Sequence, residues 1–252
     1  MSTLYIVATP IGNLEDITLR ALRILKEVDF IICEDTRVTS HLLARYEIEK
    51  PLVAYFQHSK VSKIDEIIER LGRGQNAAVV TDAGTPGISD PGGVLVKQIV
   101  AQCSAYVKIE PIPGPCAAIA ALSISGLPTD KFLFMGFPPH KKSRQSYFKK
   151  VAATEETVVF YESPHRILKS LEQLQDALHN PSQPPRAFWG GDDRDPPLKI
   201  RGGRGSYDSR QIVVARELTK MFESVYRGTI VEVLAAVQKD PVKGEYVVVV
   251  GP

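Results

Sequence analysis

The sequence contains few cysteines and no long apolar stretch, and these two absences exclude several classes of protein. Only Cys33, Cys103 and Cys116 occur among its 252 residues, in neither a Cys-x-x-Cys pair nor an even number. Because small secreted domains depend on paired cysteines, we expect no disulfide framework and a reducing compartment, the cytoplasm. Pro10 and Gly12 interrupt the first apolar run, so we expect no signal peptide. No stretch approaches the roughly 20 apolar residues of a membrane span.

The chain also lacks an excess of charge of either sign. Its 31 basic and 29 acidic residues give a formal net charge of +2, too small to indicate nucleic-acid binding through bulk charge, so any RNA contact has to be local. The five histidines have no metal-ligand spacing with cysteine or carboxylate side chains, and we predict no structural or catalytic metal. Residues 72–77 match Gly-x-Gly-x-x-Ala by letters, but they precede a strand and are no dinucleotide fingerprint.

What is present is the alternating pattern of an α/β protein. In the first half, short apolar runs such as residues 4–8, 30–33 and 77–81 alternate with helix-period segments such as 19–28 and 64–71. Such alternation predicts a mostly parallel sheet covered by helices. Prolines around residues 111–115 interrupt the pattern, and a second series of short runs follows. We therefore predict two α/β domains, residues 1–113 with a mostly parallel sheet and residues 114–252 with a mixed sheet.

Capping signals mark helix starts in both halves. Ser62 with Asp65 and Thr229 with Glu232 have the spacing of capping boxes. Ser163 before proline predicts a cap followed by proline at the first helical position.

Residues 183–210 break the pattern, because they mix prolines, glycines and both charges without periodicity. We predict a long, mobile surface loop there. Its Arg-Gly-Gly-Arg sequence resembles one copy of an RNA-binding segment, although a single copy is more often a flexible loop. Phe188 and Trp189 would be exposed in a free loop, and a red-shifted, easily quenched fluorescence of Trp189 would support that interpretation.

The strongest local signal is residues 81–92, Thr-Asp-Ala-Gly-Thr-Pro-Gly-Ile-Ser-Asp-Pro-Gly, directly after an apolar strand. In open parallel sheets, ligands bind beyond the carboxyl ends of the strands. Glycines let a ligand approach the backbone, and Asp82 and Asp90 can accept hydrogen bonds. The alternative is a turn whose polar residues cap the next helix.

Three other segments also follow predicted strands or turns: residues 33–37, 161–166 and 216–220. In the first two, charged residues including an arginine precede a helix, and helix N-termini with a nearby arginine bind anions such as phosphate. The alternative is that these residues are helix caps with solvated arginines. A small-residue segment after Pro113-Gly114-Pro115 leaves room for a flat ring or a thioether, or for close helix packing.

Taken in order, these segments resemble the tetrapyrrole methylase superfamily, and within it the bacterial enzymes that 2′-O-methylate ribosomal RNA. The resemblance covers residues 9–16, 34–37, 82–92, 113–115, 160–166, 216–220 and 243–245 in colinear order. It implies a tetrapyrrole-methylase-like fold of two α/β domains with the cofactor cleft between them, a homodimer, and S-adenosylmethionine-dependent 2′-O-methylation of a cytidine ribose in 16S ribosomal RNA. Many members have a C-terminal helical extension beyond the position of Pro252, a difference that we expect to affect RNA affinity more than methyl transfer.

The resemblance also implies individual site residues. The predicted cofactor-binding residues are Pro10, Asp82, Ala83, Gly84, Thr85, Ile88, Cys116, Ala117, Tyr161, Arg216, Glu217, Leu218 and Lys243. Arg37 and Arg166 are expected to contact RNA phosphates beside the target nucleotide.

A ribose hydroxyl is a poor acid, so a neighbouring side chain is expected to accept its proton during transfer. The candidates, among which the sequence does not choose, are Glu34, Asp35, Asp90, Glu162 and His165. Two alternatives remain open. One is a superfamily enzyme that methylates a tetrapyrrole or another small molecule, and the other is a non-catalytic RNA-binding or assembly factor.

Overall fold

The computed structural model describes residues 1–55, 61–90, 92–179 and 210–252, with the backbone alone at positions 61 and 62. The predicted loop therefore lies outside the described residues, except for Arg210, as do Trp189 and the side chain of Ser62. The prediction that Ser62 caps a helix is wrong, because its backbone already belongs to the helix Val61–Gly72. The chain forms two compact units, Met1–Ala120 and Ala121–Pro252. The domain boundary predicted after residue 113 lies a few residues before this division and stays a prediction.

The first unit is a five-stranded parallel sheet with helices on both faces. Its strands are β1 Ser2–Val7, β2 Phe30–Cys33, β3 Leu52–Ala54, β4 Ala77–Val79 and β5 Val107–Ile112, in the order β3-β2-β4-β1-β5. Its helices are α1 Leu19–Glu27, α2 Thr36–Arg45, α3 Val61–Gly72 and α4 Gly92–Cys103, and α5 Ala117–Ser125 crosses into the second unit. The predicted parallel sheet covered by helices is confirmed.

Both faces of this sheet are buried because its strands are apolar on both sides. Along β2, Ile31 and Cys33 pack in one hydrophobic cluster with α1 and α2, whereas Phe30 and Ile32 pack in another with α3 and α4. Parallel sheets covered on both faces read as continuous apolar runs, which explains the sequence pattern. The arrangement leaves the carboxyl ends of the strands as the open edge of the unit.

The second unit contains a mixed sheet. Its strands are β6 Phe132–Phe134, β7 Thr157–Glu162, β8 Ile212–Arg216, β9 Ser224–Gly228 and β10 Tyr246–Val250, in the order β6-β7-β10-β8-β9. Only the β6–β7 pair is parallel. A single hydrophobic cluster lies between β7, β8 and β10 and the helices α6 Arg144–Ala153, α7 Ile167–His179 and α8 Ile230–Lys239.

The predicted helix starts in this unit have different outcomes. Thr229 and Glu232 form the predicted capping box, with the Thr229 side chain accepting from the Glu232 amide and the Glu232 carboxylate accepting from the Thr229 amide. The prediction of a cap at Ser163 with proline at the first helical position is wrong, because the residues after Ser163 form turns and α7 begins at Ile167.

The described part of the chain has no helix that is both long and apolar enough to cross a membrane. None of the three cysteines is in a disulfide. Within the described ranges, no three His, Cys, Asp or Glu side chains are grouped to hold a metal ion.

Candidate functional site

The loop after β4 is fixed to the segment after β1. Thr9 and Gly84 form an isolated antiparallel bridge with two N···O distances of 3.0 Å, and Thr9 Oγ1 donates to the Thr81 carbonyl at 3.0 Å. The carboxyl ends of β1 and β4 meet because the two strands are parallel neighbours. Gly84 has φ of +83°, a conformation that residues with a side chain rarely adopt.

The segment after β5 completes this edge. Thr85 Oγ1 donates to the Pro115 carbonyl at 3.2 Å, and Gly114 is so close to Ala8 that an added Cβ would lie 3.0 Å from the Ala8 Cβ. Three chain segments, which follow the neighbouring strands β4, β1 and β5, therefore converge. Within the β4 loop Gly84 is buried, whereas Asp82 and Ile88 are exposed.

Asp90 organises the far end of the same loop. Its Oδ2 accepts from the Gly87 amide at 2.7 Å, and its Oδ1 accepts from the Gly92 amide at 2.6 Å. One carboxylate oxygen thus binds the loop backbone and the other binds the first residue of α4, where a negative charge interacts favourably with the helix dipole. Asp90 remains a predicted proton acceptor, and the structure gives it this additional structural role.

A second group of carboxylates lies where β2 and β4 end side by side. Asp82 Oδ1 accepts from the Asp35 amide at 3.1 Å, and Thr81 Oγ1 donates to Glu34 Oε2 at 3.3 Å. Burial, followed by the nearby charge of Asp82, raises the pKa of Glu34. The Asp82 side chain is exposed overall, but partial desolvation of its carboxyl group likewise raises its pKa. The folded protein therefore disfavours negative charge at both positions.

The environment of Asp35 has the opposite effect, because it favours the charged carboxylate. Arg37 donates to it through its guanidinium, at 2.6 Å to Oδ2, and through its backbone amide at 2.8 Å to Oδ1. These two hydrogen bonds lower the pKa of Asp35 to about 2. Asp35 also caps α2, and the Arg37 side chain remains 88% exposed.

A cavity of about 10 Å³ lies behind these carboxylates, with Glu34, Tyr55, Thr81 and Asp90 in its lining. This is about the space of one water molecule, so it is too small for a cofactor.

In the second unit, a buried carboxylate holds the turn after β7. Glu162 has a fully buried side chain, and its Oε1 accepts from the Ser163 amide and from Arg166, both at 2.8 Å. Its Oε2 accepts from Ser170 Oγ at 2.5 Å and from Arg144 Nη2 at 3.3 Å. Both oxygens of this predicted proton acceptor are therefore engaged within the protein, while His165 in the same turn is exposed.

The same two arginines reach the loop after β6. Arg166 Nη1 donates to the Pro138 carbonyl at 3.0 Å, and Arg144 Nη1 donates to the Pro139 carbonyl at 3.2 Å. We call Glu162, Arg144, Arg166 and Ser170 together the Glu162 network. It ties the loop after β6 to the turn after β7.

The turn after β8 packs against the segment before β10. Arg216 Nε donates to the Lys243 carbonyl at 2.9 Å, and Glu217 Oε1 accepts from the Glu245 amide at 2.9 Å and from Lys220 at 2.9 Å. Glu217 and Thr219 both have positive φ, at 52° and 67°. The Thr219 hydroxyl is buried and has no hydrogen-bond partner among the described residues.

The predicted cofactor-binding residues fall into two groups. In the first unit, the converging loops contain Pro10, Asp82, Ala83, Gly84, Thr85, Ile88, Cys116 and Ala117. In the second, Tyr161 near the end of β7 and Arg216 at the end of β8 lie on either side of the first residues of β10, with Glu217, Leu218 and Lys243 in the adjoining segments. Their role in cofactor binding, and the predicted cleft between domains, stay predictions.

Sequence reasoning missed the residues that hold these segments in position. The hydrogen bonds of Thr9 cannot be predicted from the sequence, because its partners are more than 70 positions away. Arg144 does give one, since it shares the buried face of α6 with Phe148 and Val151 at helical spacing. A charged residue in an apolar stripe predicts a buried partner of opposite charge.

Comparisons with known proteins agree with this architecture. The family model of the Tetrapyrrole (Corrin/Porphyrin) Methylases matches residues 3–191. Ribosomal RNA small subunit methyltransferase I of Synechocystis sp. is 41% identical over 252 residues, which cover 99% of this chain and 79% of that protein. The protein of the same name from Bacillus subtilis is 42% identical over 251 residues, 99% of this chain and 75% of that protein.

Solved structures match more distantly. A cobalt precorrin-4 methyltransferase superposes with a TM-score of 0.64 at 16% identity, over 99% of this chain and 94% of that chain. A uroporphyrin-III C-methyl transferase from Thermus thermophilus, solved with S-adenosyl homocysteine, has a TM-score of 0.60 at 17% identity, over 99% and 97%. These likenesses confirm the predicted tetrapyrrole-methylase-like fold. The chain therefore belongs to the tetrapyrrole methylase family, and within it to the group of ribosomal RNA small subunit methyltransferase I proteins.

Proposed function

We propose that this protein transfers a methyl group from S-adenosylmethionine to the 2′-oxygen of a cytidine ribose in 16S ribosomal RNA, and that it acts in the cytoplasm as a homodimer. One observation supports ribosomal RNA as the substrate class. Identity of 41–42% to ribosomal RNA methyltransferases extends over 99% of the chain, whereas the porphyrin and corrin methyltransferases match at 16–17%. A tetrapyrrole substrate is the less supported alternative.

The residues present fit S-adenosylmethionine. Its ribose hydroxyls and ammonium group are hydrogen-bond donors, and its sulfonium is a cation, so carboxylates suit it. Partial desolvation raises the pKa of Asp82, so a donor or cationic ligand would offset a charge that this site disfavours. In the second unit, the buried Thr219 hydroxyl has no hydrogen-bond partner among the described residues and lies next to Leu218, a predicted cofactor-binding residue.

The chemistry of the transfer sets what the protein has to do. When bound, S-adenosylmethionine supplies an electrophilic methyl group: the ribose oxygen–carbon bond forms, the sulfur–carbon bond breaks, and a neutral thioether leaves. The protein has to align the reacting atoms at about 3–3.5 Å and accept the hydroxyl proton. Glu34 is the best-suited of the candidate carboxylates, because its raised pKa brings it closer to the working pH and its Oε1 makes no hydrogen bond to another described residue.

Transfer of tritiated methyl to small ribosomal subunits tests this function. A 2′-O-methyl group blocks alkaline cleavage at its nucleotide, so the label should appear in an alkali-resistant dinucleotide that contains cytidine. Label transferred to uroporphyrinogen and not to RNA would support the tetrapyrrole alternative. RNA binding without transfer would support the assembly-factor alternative, and light scattering of the free protein would measure its oligomeric state.

We expect Asp82→Ala to weaken S-adenosylmethionine binding about ten-fold or more, since a hydrogen bond to a charged group contributes roughly 1.5–3 kcal/mol. The fold should be little affected, because the Asp82 side chain is exposed and belongs to neither hydrophobic cluster of the first unit. Calorimetry measures the affinity, and Asp176→Ala on the exposed side of α7 is the matched control. Unchanged affinity in a folded Asp82→Ala protein would remove Asp82 from the site.

Arg37→Ala is expected to reduce methylation of small subunits while leaving cofactor affinity nearly unchanged. Its side chain is 88% exposed and so is available to phosphate, and phosphate contacts position RNA without contacting the sulfonium. The dependence of RNA binding on salt should also become shallower. A methylation rate and salt slope equal to wild type would leave Arg37 as a partner of Asp35 alone. Arg166 is a poorer probe, because it also supports Glu162.

A further inference from the structure

One segment of the second unit departs from the even charge balance of the chain. Between Asp130 and Glu155 there is no acidic residue, and the segment contains Lys131, Lys141, Lys142, Arg144, Lys149 and Lys150. The whole chain has a formal charge of only +2, so this concentration of positive charge is local. A local basic stretch is the electrostatic feature that nucleic-acid binding requires.

Most of these side chains face solvent. Lys141, Lys142 and Lys149 are exposed, whereas Arg144 is buried in the Glu162 network. Among the described residues, Lys141, Lys142 and Lys149 form no ion pair. Their charges are therefore not neutralised by the rest of the described unit.

An aromatic side chain lies at the start of this basic stretch. Phe137 is 49% exposed, and its ring centroid lies 5.4 Å from that of Tyr161, which also packs at 5.1 Å against Phe134. Phe137 follows β6 and Tyr161 is near the end of β7, so both lie at the carboxyl ends of parallel neighbours. About half of Phe137 is therefore covered by its neighbours, and the other half is available to stack on a ligand.

Two hydrogen bonds fix the backbone of the loop directly after Phe137, at Pro138 and Pro139. Arg166 binds the Pro138 carbonyl and Arg144 binds the Pro139 carbonyl, and both arginines are fixed by the buried Glu162 carboxylate. An aromatic ring on a fixed backbone loses little conformational entropy when a ligand stacks on it. The Glu162 network thus fixes the backbone next to the Phe137 ring before a ligand binds.

We propose that Phe137, Lys141 and Lys142 form a surface that binds single-stranded RNA beside the target nucleotide, with Phe137 stacking on a base and the lysines contacting phosphates. The proposal rests on the proposed function and names how its substrate is held. Unstacked RNA bases bind aromatic faces, and lysines beside them neutralise the backbone. An acidic protein or an anionic membrane would use the lysines but would not need a fixed aromatic ring.

The test measures binding of a short unstructured RNA oligonucleotide by fluorescence anisotropy in the absence of cofactor. We expect Phe137→Ala to weaken binding about five-fold or more, and Phe137→Tyr to retain it, because stacking on one base contributes roughly 1–3 kcal/mol. Lys141→Glu and Lys142→Glu should weaken binding and reduce its salt dependence. The matched controls are Phe132→Ala, at the other end of β6, and Lys239→Glu, at the end of α8, which should bind as wild type.

Methylation of small subunits separates this proposal from the proposed function. If the surface holds RNA, the lysine variants should raise KM several-fold with little change in kcat. Oligonucleotide binding equal to wild type in all three weakening variants would overturn the surface, whatever the activity. Binding to anionic vesicles that exceeds binding to RNA would also overturn it. Wild-type protein that transfers no methyl to small subunits would instead overturn the proposed function, while the oligonucleotide result would still decide the surface.

Discussion

Glu162→Ala is expected to destabilise the protein by about 3–5 kcal/mol, the usual effect of removing one partner from a buried ion pair. The Glu162 side chain is fully buried, and the Arg144 side chain beside it is 6% exposed. Without the carboxylate, Arg144 would keep a buried charge with no counterion. The loop after β6 and the turn after β7 would lose their common anchor, so RNA methylation should fall as well.

Urea unfolding measures this effect, with Glu172→Ala on the exposed side of α7 as the control, expected within about 0.5 kcal/mol of wild type. Adding Arg144→Met to Glu162→Ala should recover part of the lost stability, since it removes the unpaired buried charge. If Glu162→Ala unfolds at the wild-type urea concentration, the network is not a stabilising element. A double variant less stable than the sum of the single variants would contradict the role of the buried charge.

Gly244→Ala is expected to disrupt the turn after β8. Gly244 has φ of +84°, where a side chain costs about 1–2 kcal/mol, and its added Cβ would overlap the Glu217 side chain. Glu217 would have to move and lose its hydrogen bonds to Glu245 and Lys220. Because Arg216, Glu217 and Leu218 are predicted to bind the cofactor, affinity for S-adenosylmethionine should fall together with stability.

Gly126→Ala provides the matched control for this substitution. Gly126 also has positive φ, at 73°, but an added Cβ there would meet no atom within 4 Å. The difference in melting temperature between the two variants therefore measures the overlap with Glu217 apart from backbone strain. Equal melting temperatures and wild-type cofactor affinity in Gly244→Ala would show that the turn tolerates displacement of Glu217.

The elements that the sequence predicted well are those with a strong local signal. The run at residues 30–33 is a buried strand, and the capping box at Thr229 forms as predicted. The strand β9 was missed because it is a partly exposed edge strand of five residues with little apolar pattern. Ser163 was misread for another reason: its amide binds Glu162, and Ile167 begins the helix only after a tight turn.

The sequence identified which loops form the candidate site, but not the contacts that their side chains make. Glycines, prolines and acids after apolar runs identified the segments near Asp82 and Tyr161, because these signals lie within a few residues of each other. Which oxygen of Asp90 binds which amide, or that Arg144 binds Glu162 from 18 positions away, depends on packing between distant elements. Glu34 and Asp35 are neighbouring carboxylates that the sequence does not distinguish. In the folded protein the pKa of Glu34 is raised, whereas that of Asp35 is lowered.

The strand orders of the two sheets determine when each sheet can form during synthesis on the ribosome. In the first sheet β1 lies between β4 and β5, so it can pair with β4 once residue 79 has left the ribosome and with β5 once residue 112 has followed. In the second sheet β10 lies between β7 and β8, and these two strands cannot join until residues 246–250 leave the exit tunnel. We expect the first unit to become protease-resistant on stalled ribosomes well before the second, whose apolar strands would meanwhile need chaperone protection.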